Sequence, residues 1–143
     1  MGTVSDILKS KDNSLISITP GATVYSALEL MVEKNVSAVL VMEGSKLAGI
    51  FTERDYARKV ILKGKSSRET LISEIMTGDV ITVEPNATID HCMRLMTGKH
   101  FRHIPVVQAD KVVGIISIGD VVKHVIEEQK FIIQNMENYI SGN

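Results

Sequence analysis

The sequence predicts an α/β (α+β) fold in which one β-α-β-β-α unit occurs twice, the copies packed sheet to sheet about a pseudo-twofold axis, with a C-terminal helix added. Three observations lead there. Pro20 and Pro85 stand 65 residues apart, and that offset aligns Ile16 with Ile81, Ala22 with Ala87, Thr23 with Thr88, Leu30 with Leu95, Met31 with Met96, Val41 with Val106, Lys46 with Lys111, Gly49 with Gly114 and Asp55 with Asp120. Within each copy the apolar spacing switches between a helical stripe and β-branched runs. A unit of about 60 residues leaves much of its apolar face uncovered, so two copies sharing a core is the economical arrangement.

Each copy justifies its elements in the same order. A short extended segment (15–19; 80–84) ends at proline. Val24, Ala27, Leu28 and Met31, and likewise Ile89, Cys92, Met93 and Met96, then form the i, i+3, i+4, i+7 stripe of an amphipathic helix. Two strands follow (36–42 and 46–51; 101–107 and 111–116), joined by the turns Glu43-Gly44-Ser45 and Gln108-Ala109-Asp110. A second helix runs from 53 to 62, stopped by Gly64, and another starts at Ile118. Val4-Ser5-Asp6-Ile7-Leu8 and Ile72-Ser73-Glu74-Ile75-Met76 also correspond, but at offset 68, so the first half carries extra residues near 12–15, in a surface loop. The division is repeat 1 at 1–66, repeat 2 at 67–126 and a tail at 127–143, read as a further helix with Ile126, Ile133, Met136 and Ile140 along one side. A cleft between the halves is the expected ligand site.

Sixteen Lys and Arg against seventeen Asp and Glu leave a net charge of -1, so no overall field draws the chain to nucleic acid or to an anionic membrane. An anion must be caught locally. Cys92, the single cysteine, sits among apolar helical positions and reads as a buried structural thiol. No apolar run reaches the roughly 20 residues of a membrane span, and the first residues lack a signal-peptide pattern. A cytoplasmic location follows by default, with an organelle matrix as the alternative. His91, His100, His103 and His124 have no zinc spacing, and no P-loop or dinucleotide glycine motif is present.

The most informative stretches are Gly49-Ile50-Phe51-Thr52-Glu53-Arg54-Asp55 and Gly114-Ile115-Ile116-Ser117-Ile118-Gly119-Asp120, where a strand gives way to a helix. Their pattern alone reads as a capping box, Thr52 or Ser117 accepting a backbone N–H and the acid reaching back. Binding is compatible with capping, because such a junction presents free N–H groups to an anion. A carboxylate held there stays ionised and accepts charge-assisted hydrogen bonds, each worth about 1.5–3 kcal/mol.

The doubled unit, closed each time by Gly-x-x-[Ser/Thr]-x-x-Asp, resembles the CBS-domain (cystathionine-β-synthase domain) family over roughly residues 1–126, and most closely its small single-pair members. The resemblance implies a regulatory module rather than an enzyme, with no catalytic cofactor or metal. Its ligand would be an adenosine-containing molecule, AMP or NAD(H) first and ATP or ADP next, in two clefts built from both repeats. One cleft would hold Thr52, Arg54 and Asp55 with Val83, Ala87, Phe101, Arg102, His103 and Pro105. The other would hold Ser117, Gly119 and Asp120 with Thr19, Ala22, Val36, Ser37 and Ala38. In each, the Asp would take the ribose diol and the Ser or Thr would support it, while strand backbone reads the adenine. Apart from the family, these are ordinary core strand residues.

Arg54, Arg102 and His103 would converge on the Asp55 cleft and favour phosphorylated ligands there, whereas the Asp120 cleft has Gly119, Ser37 and Ala38 at the matching places. S-adenosylmethionine suits the second cleft better than the first. Occupancy would change the angle between repeats and be read by an unidentified regulated protein. A homodimer is expected, with the tail packing on its own module or on a partner. Two rivals stand beside the sensor: a structural dimerisation module with vestigial clefts, and an enzyme using His103 as a base.

Overall fold

Thr23 and Thr88 each stand immediately before an apolar helical stripe. In the computed structural model, which describes residues 2–142, each hydroxyl accepts the backbone N–H three residues on, from Ser26 and His91 at 3.1 Å. The helices so begun are α2 (Val24–Lys34) and α5 (Ile89–Lys99), and both end on a left-handed residue, Asn35 at φ 53° and His100 at φ 61°. Ahead of α2 lie α1 (Val4–Lys9) and β1 (Ser17–Ile18). After it come β2 (Ala38–Glu43), β3 (Lys46–Thr52) and α3 (Glu53–Asp55), which runs on into a π-helical turn, Tyr56–Ile61. The second half contributes α4 (Ile72–Ile75), then α5, β4 (His103–Gln108), β5 (Lys111–Ser117) and α6 (Ile118–Ser141).

The chain divides into two compact units, and they do not follow the division by repeat. One, the Asp55 unit, comprises residues 14–81 and 109–113; the other, the Asp120 unit, comprises 2–13, 82–108 and 114–142 of the described residues. The reason is an exchange of leading helices. Ile72 and Ser73, at the start of α4, donate their N–H groups to the carbonyls of Ala22 and Pro20 at 2.8 and 2.9 Å. Val4 and Ser5, at the start of α1, donate in the same way to Ala87 and Pro85, at 2.9 and 2.8 Å. Each leading helix is thereby bonded to the proline loop of the other repeat.

In the Asp55 unit β1 runs parallel to β2, Ser17 opposite Leu40, and β2 pairs antiparallel with β3, Leu40 opposite Ile50. Alternation along β2 and β3 turns Val39, Val41 and Phe51 to one face, where Val24, Ala27 and Met31 of α2 meet them with Val60, Ile72 and Ile75. β4 and β5 form a two-stranded sheet, and the Asp120 unit, which takes in β4 and residues 114–117 of β5, buries Val4, Ile7, Ile89, Cys92, Met96, Ile104, Val106, Ile116 and Val121.

Three sequence expectations are corrected. Residues 80–84 do not form a strand; only Val83 bridges in parallel to Val106. The cause is Pro105. Its counterpart Leu40 donates its N–H to Ile16 at 3.0 Å and extends the β1 ladder, whereas proline has no N–H to give Ile81. The helix expected over 53–62 winds with i→i+5 bonds after Asp55, Leu62 N–H reaching Ala57 at 3.2 Å, before ending at Gly64 with φ 69°. The tail is not a separate helix. With no glycine or proline between Asp120 and Ser141, α6 continues through it to Gly142. The tail's last residue, Asn143, lies outside the described residues.

Gly49 shows why the junction motif opens on glycine. A Cβ there would stand 2.6 Å from the carbonyl oxygen of Thr77, which is fixed by reciprocal bonds with Ile50 at 3.0 and 2.9 Å. At Gly114 the nearest atom is Leu8 Cδ2 at 2.8 Å, the end of a flexible side chain. Gly49→Ala is expected to cost about 1–3 kcal/mol of stability in urea unfolding, and Gly114→Ala clearly less. Equal losses would contradict this reading.

Candidate functional site

A hydroxyl residue ending a strand and an acid three residues later can satisfy each other's backbone, and both junctions do so. At the first, Asp55 N–H donates to Thr52 Oγ1 at 3.1 Å, while Asp55 Oδ2 accepts Thr52 N–H at 3.0 Å and the Thr52 hydroxyl at 3.1 Å. At the second, Asp120 N–H donates to Ser117 Oγ at 3.1 Å and Asp120 Oδ2 accepts Ser117 N–H at 2.8 Å. Each carboxylate is thus clamped at a helix start, where the helix dipole favours negative charge.

Each carboxylate also holds a lysine, by different routes. Lys59, four residues beyond Asp55, places Nζ 3.3 Å from Asp55 Oδ1 and donates to the Ile75 carbonyl at 3.2 Å. Thr77 donates its hydroxyl to the same Oδ1 at 3.3 Å. Asp120 receives Lys11, from the irregular segment after α1: its Nζ donates to Asp120 Oδ2 and to the Ile115 carbonyl, both at 2.8 Å. Burial pushes the Asp120 carboxyl up, but the Lys11 hydrogen bond, the Ser117 N–H and the Lys11 charge outweigh it and hold the group below the ordinary carboxylate value.

The residues expected at the site fall into two groups within the units. Thr19, Ala22, Val36, Ser37 and Ala38 belong to the unit of Thr52, Arg54 and Asp55. Val83, Ala87, Phe101, Arg102, His103 and Pro105 belong to the unit of Ser117, Gly119 and Asp120. In both units the start of the first hairpin strand is tied to the junction of the same repeat: Glu53 N–H donates to Ser37 at 3.1 Å, and Ile118 N–H to Arg102 at 2.8 Å. Val36, Ser37 and Phe101 are half-buried, whereas Ala38, Val83 and Pro105 are buried, out of a ligand's easy reach. Arg54, Arg102 and Gly119 are exposed.

His103 lies in the field of Asp120 and Lys11. Burial drives its imidazole below the ordinary value; Asp120 pulls the other way, and Lys11 and Arg102 reinforce burial. His103 is therefore mostly neutral at pH 7, a donor or acceptor rather than a cation. The positive charges whose field reaches His103 are Lys11 and Arg102. Sequence reasoning missed Lys11, Lys59 and Thr77. The i,i+4 spacing from Asp55 points to Lys59, but nothing local marks Lys11, which is 109 positions from its carboxylate.

The arrangement suits a ligand that donates hydroxyls to a carboxylate. Cys92 is buried, and burial pushes its thiol up, away from the reactive thiolate. Among the described residues no three His, Cys, Asp or Glu side chains gather as a metal site, and no helix is long and apolar enough to cross a membrane.

Comparison with known proteins adds a consistent result. The family model of the CBS domain matches residues 3–62 and again 72–127. A mitochondrial CBS domain-containing protein of Arabidopsis thaliana, CBSX3, is 43% identical over 98% of this chain and 72% of its own length. A candidate signal-transduction protein with CBS domains from Burkholderia ambifaria is 49% identical, with a TM-score of 0.86 over 89% of this chain and 96% of that one. The CBS domain pair of protein MJ0100, solved with 5′-methylthioadenosine and S-adenosyl-L-methionine, is 26% identical with a TM-score of 0.78, over 90% of this chain and 98% of that one.

Proposed function

The chain belongs to the CBS-domain family, and from that premise we propose that it is a non-catalytic regulatory module binding adenosine-containing ligands, AMP or NAD(H) foremost and ATP or ADP next. One observation carries the reading: Asp55 and Asp120 stand at repeat-equivalent helix starts, each carboxylate clamped by its own Thr or Ser. Each can take a ribose diol through charge-assisted bonds. The MJ0100 pair supports this, since methylthioadenosine and S-adenosylmethionine share with AMP and NAD(H) the adenosine that carries such a diol. Ligand occupancy biases one conformation of the module over another, and a regulated protein reads the difference. The module works in the cytoplasm or an organelle matrix, the latter favoured by the mitochondrial relative.

The lysines already on both carboxylates favour the rival reading, a dimerisation scaffold with vestigial sites. Titration of AMP and NADH into protein freed of carried-over nucleotide discriminates: saturable binding supports the sensor, and none supports the scaffold.

In either reading the chain works as a homodimer, and α6 carries the contact. Ile126, Ile133 and Ile140 recur every seven residues, with Val122, Gln129 and Met136 offset between them, the seam of a two-stranded coiled coil with one polar layer. Such a seam fits a second copy of itself. Nine large apolar side chains of α6 are 41–87% exposed, and five of them, Val122, Ile126, Ile133, Met136 and Ile140, lie on this seam. Light scattering is expected to show a dimer that Ile133→Asp converts to a folded monomer; a monomeric wild type would contradict the assignment.

A further inference from the structure

Lys11 holds a position that capping does not require. The junction at Asp120 is complete without it, because Ser117 supplies both reciprocal bonds. Yet Lys11 reaches in from an irregular stretch between α1 and β1, donating to Asp120 Oδ2 and to the Ile115 carbonyl, each at 2.8 Å. The two side chains are only partly covered, 26% and 24% exposed, so solvent and solutes reach the pair. The matching position at offset 68 is Asp79, so the second half has no copy of Lys11. Asp55 uses instead Lys59, fixed on a helical turn, and the counterpart of Lys59 is His124, which faces Glu128 at 3.4 Å. Lys11 is therefore a device of one site alone, on a segment free of helix and strand.

A ribose diol that donates to both carboxylate oxygens competes with the ammonium for Oδ2. A neutral nucleoside must displace Lys11 from Oδ2 and gives the ammonium nothing in return. A nucleotide brings an anion that the displaced ammonium can take, so the lysine exchanges one charge-assisted bond for another. Arg102 stands in the same unit, its carbonyl bonded to the first residue of α6, and adds positive charge there. We infer that Lys11 is the built-in occupant of Asp120 in the ligand-free chain and moves onto the phosphate of a bound nucleotide, so that the Asp120 site selects phosphorylated adenosine over the bare nucleoside. This rests on the nucleotide-binding reading above, and it gives the phosphate preference to Asp120 as well as naming the moving part.

The test is calorimetric titration of adenosine 5′-monophosphate and of adenosine into wild type, Lys11→Gln and Lys11→Arg, with Asp120→Ala marking which binding event belongs to this site. Lys11→Gln is expected to cut the preference for the monophosphate over adenosine about tenfold or more, chiefly by tightening adenosine, and Lys11→Arg to keep the preference. Equal changes for both compounds in Lys11→Gln, or none, would overturn the inference while leaving nucleotide binding intact. A wild type that binds neither compound would instead overturn the nucleotide reading, and this inference with it.

Discussion

Phe51→Ala is expected to destabilise the protein by about 3–5 kcal/mol, a large part of the 5–15 kcal/mol typical of a folded domain. Phe51 is fully buried, the largest side chain in the cluster that joins α2 to β2 and β3 with Val60, Ile72 and Ile75. Truncation removes the whole phenyl ring from the cluster it shares with Val24, Ala27 and Met31, and a rigid sheet on one side limits how far the gap can close. For a chain of this length the midpoint of thermal unfolding should fall by about 10 °C or more. The disturbance also reaches the first junction, because Phe51 directly precedes the Thr52 that clamps Asp55. Thermal unfolding of Phe51→Ala checks it; a fall of only a degree or two would mean that this cluster is not the core of the Asp55 unit.

Much of this architecture was legible because repetition doubles every signal. The threonines before α2 and α5, the apolar stripes behind them and the Gly-x-x-[Ser/Thr]-x-x-Asp junctions are local patterns, and each appears where local physics puts it. Departures come from single residues whose effect depends on a partner elsewhere. Pro105 looked like an ordinary strand residue, and its missing N–H removes a strand some twenty positions earlier. The offset of 68 between residues 4–8 and 72–76 signalled a loop insertion, but not that α1 and α4 would bond to each other's proline loops. The site shows the same division. Thr52, Asp55, Ser117 and Asp120 were found because capping is local, whereas Lys11 became visible only once the fold closed 109 positions of chain.

The second large effect is the one the proposed function predicts on ligand binding: Asp55→Ala or Asp120→Ala would remove the acceptor proposed for both ribose hydroxyls. Two charge-assisted bonds at about 1.5–3 kcal/mol each correspond to a loss of at least a hundredfold in affinity at the altered site. Asp120→Ala also strands Lys11, but that ammonium is partly exposed and can turn to water, so the variant should fold. Asp55→Ala releases Lys59, which is 43% exposed and keeps the Ile75 carbonyl.

The most direct measurement is therefore a thermal melt of nucleotide-free protein with AMP, ADP, ATP, NAD, NADH and S-adenosylmethionine, repeated on Asp55→Ala, Asp120→Ala and the double variant. A ligand at about 100 times its dissociation constant stabilises by about 2.7 kcal/mol, several degrees for a chain of this size. The sensor account predicts such a shift in wild type, reduced by the variant at the occupied site and abolished in the double variant. No shift with any of the six compounds, or one that survives in the double variant, would contradict it.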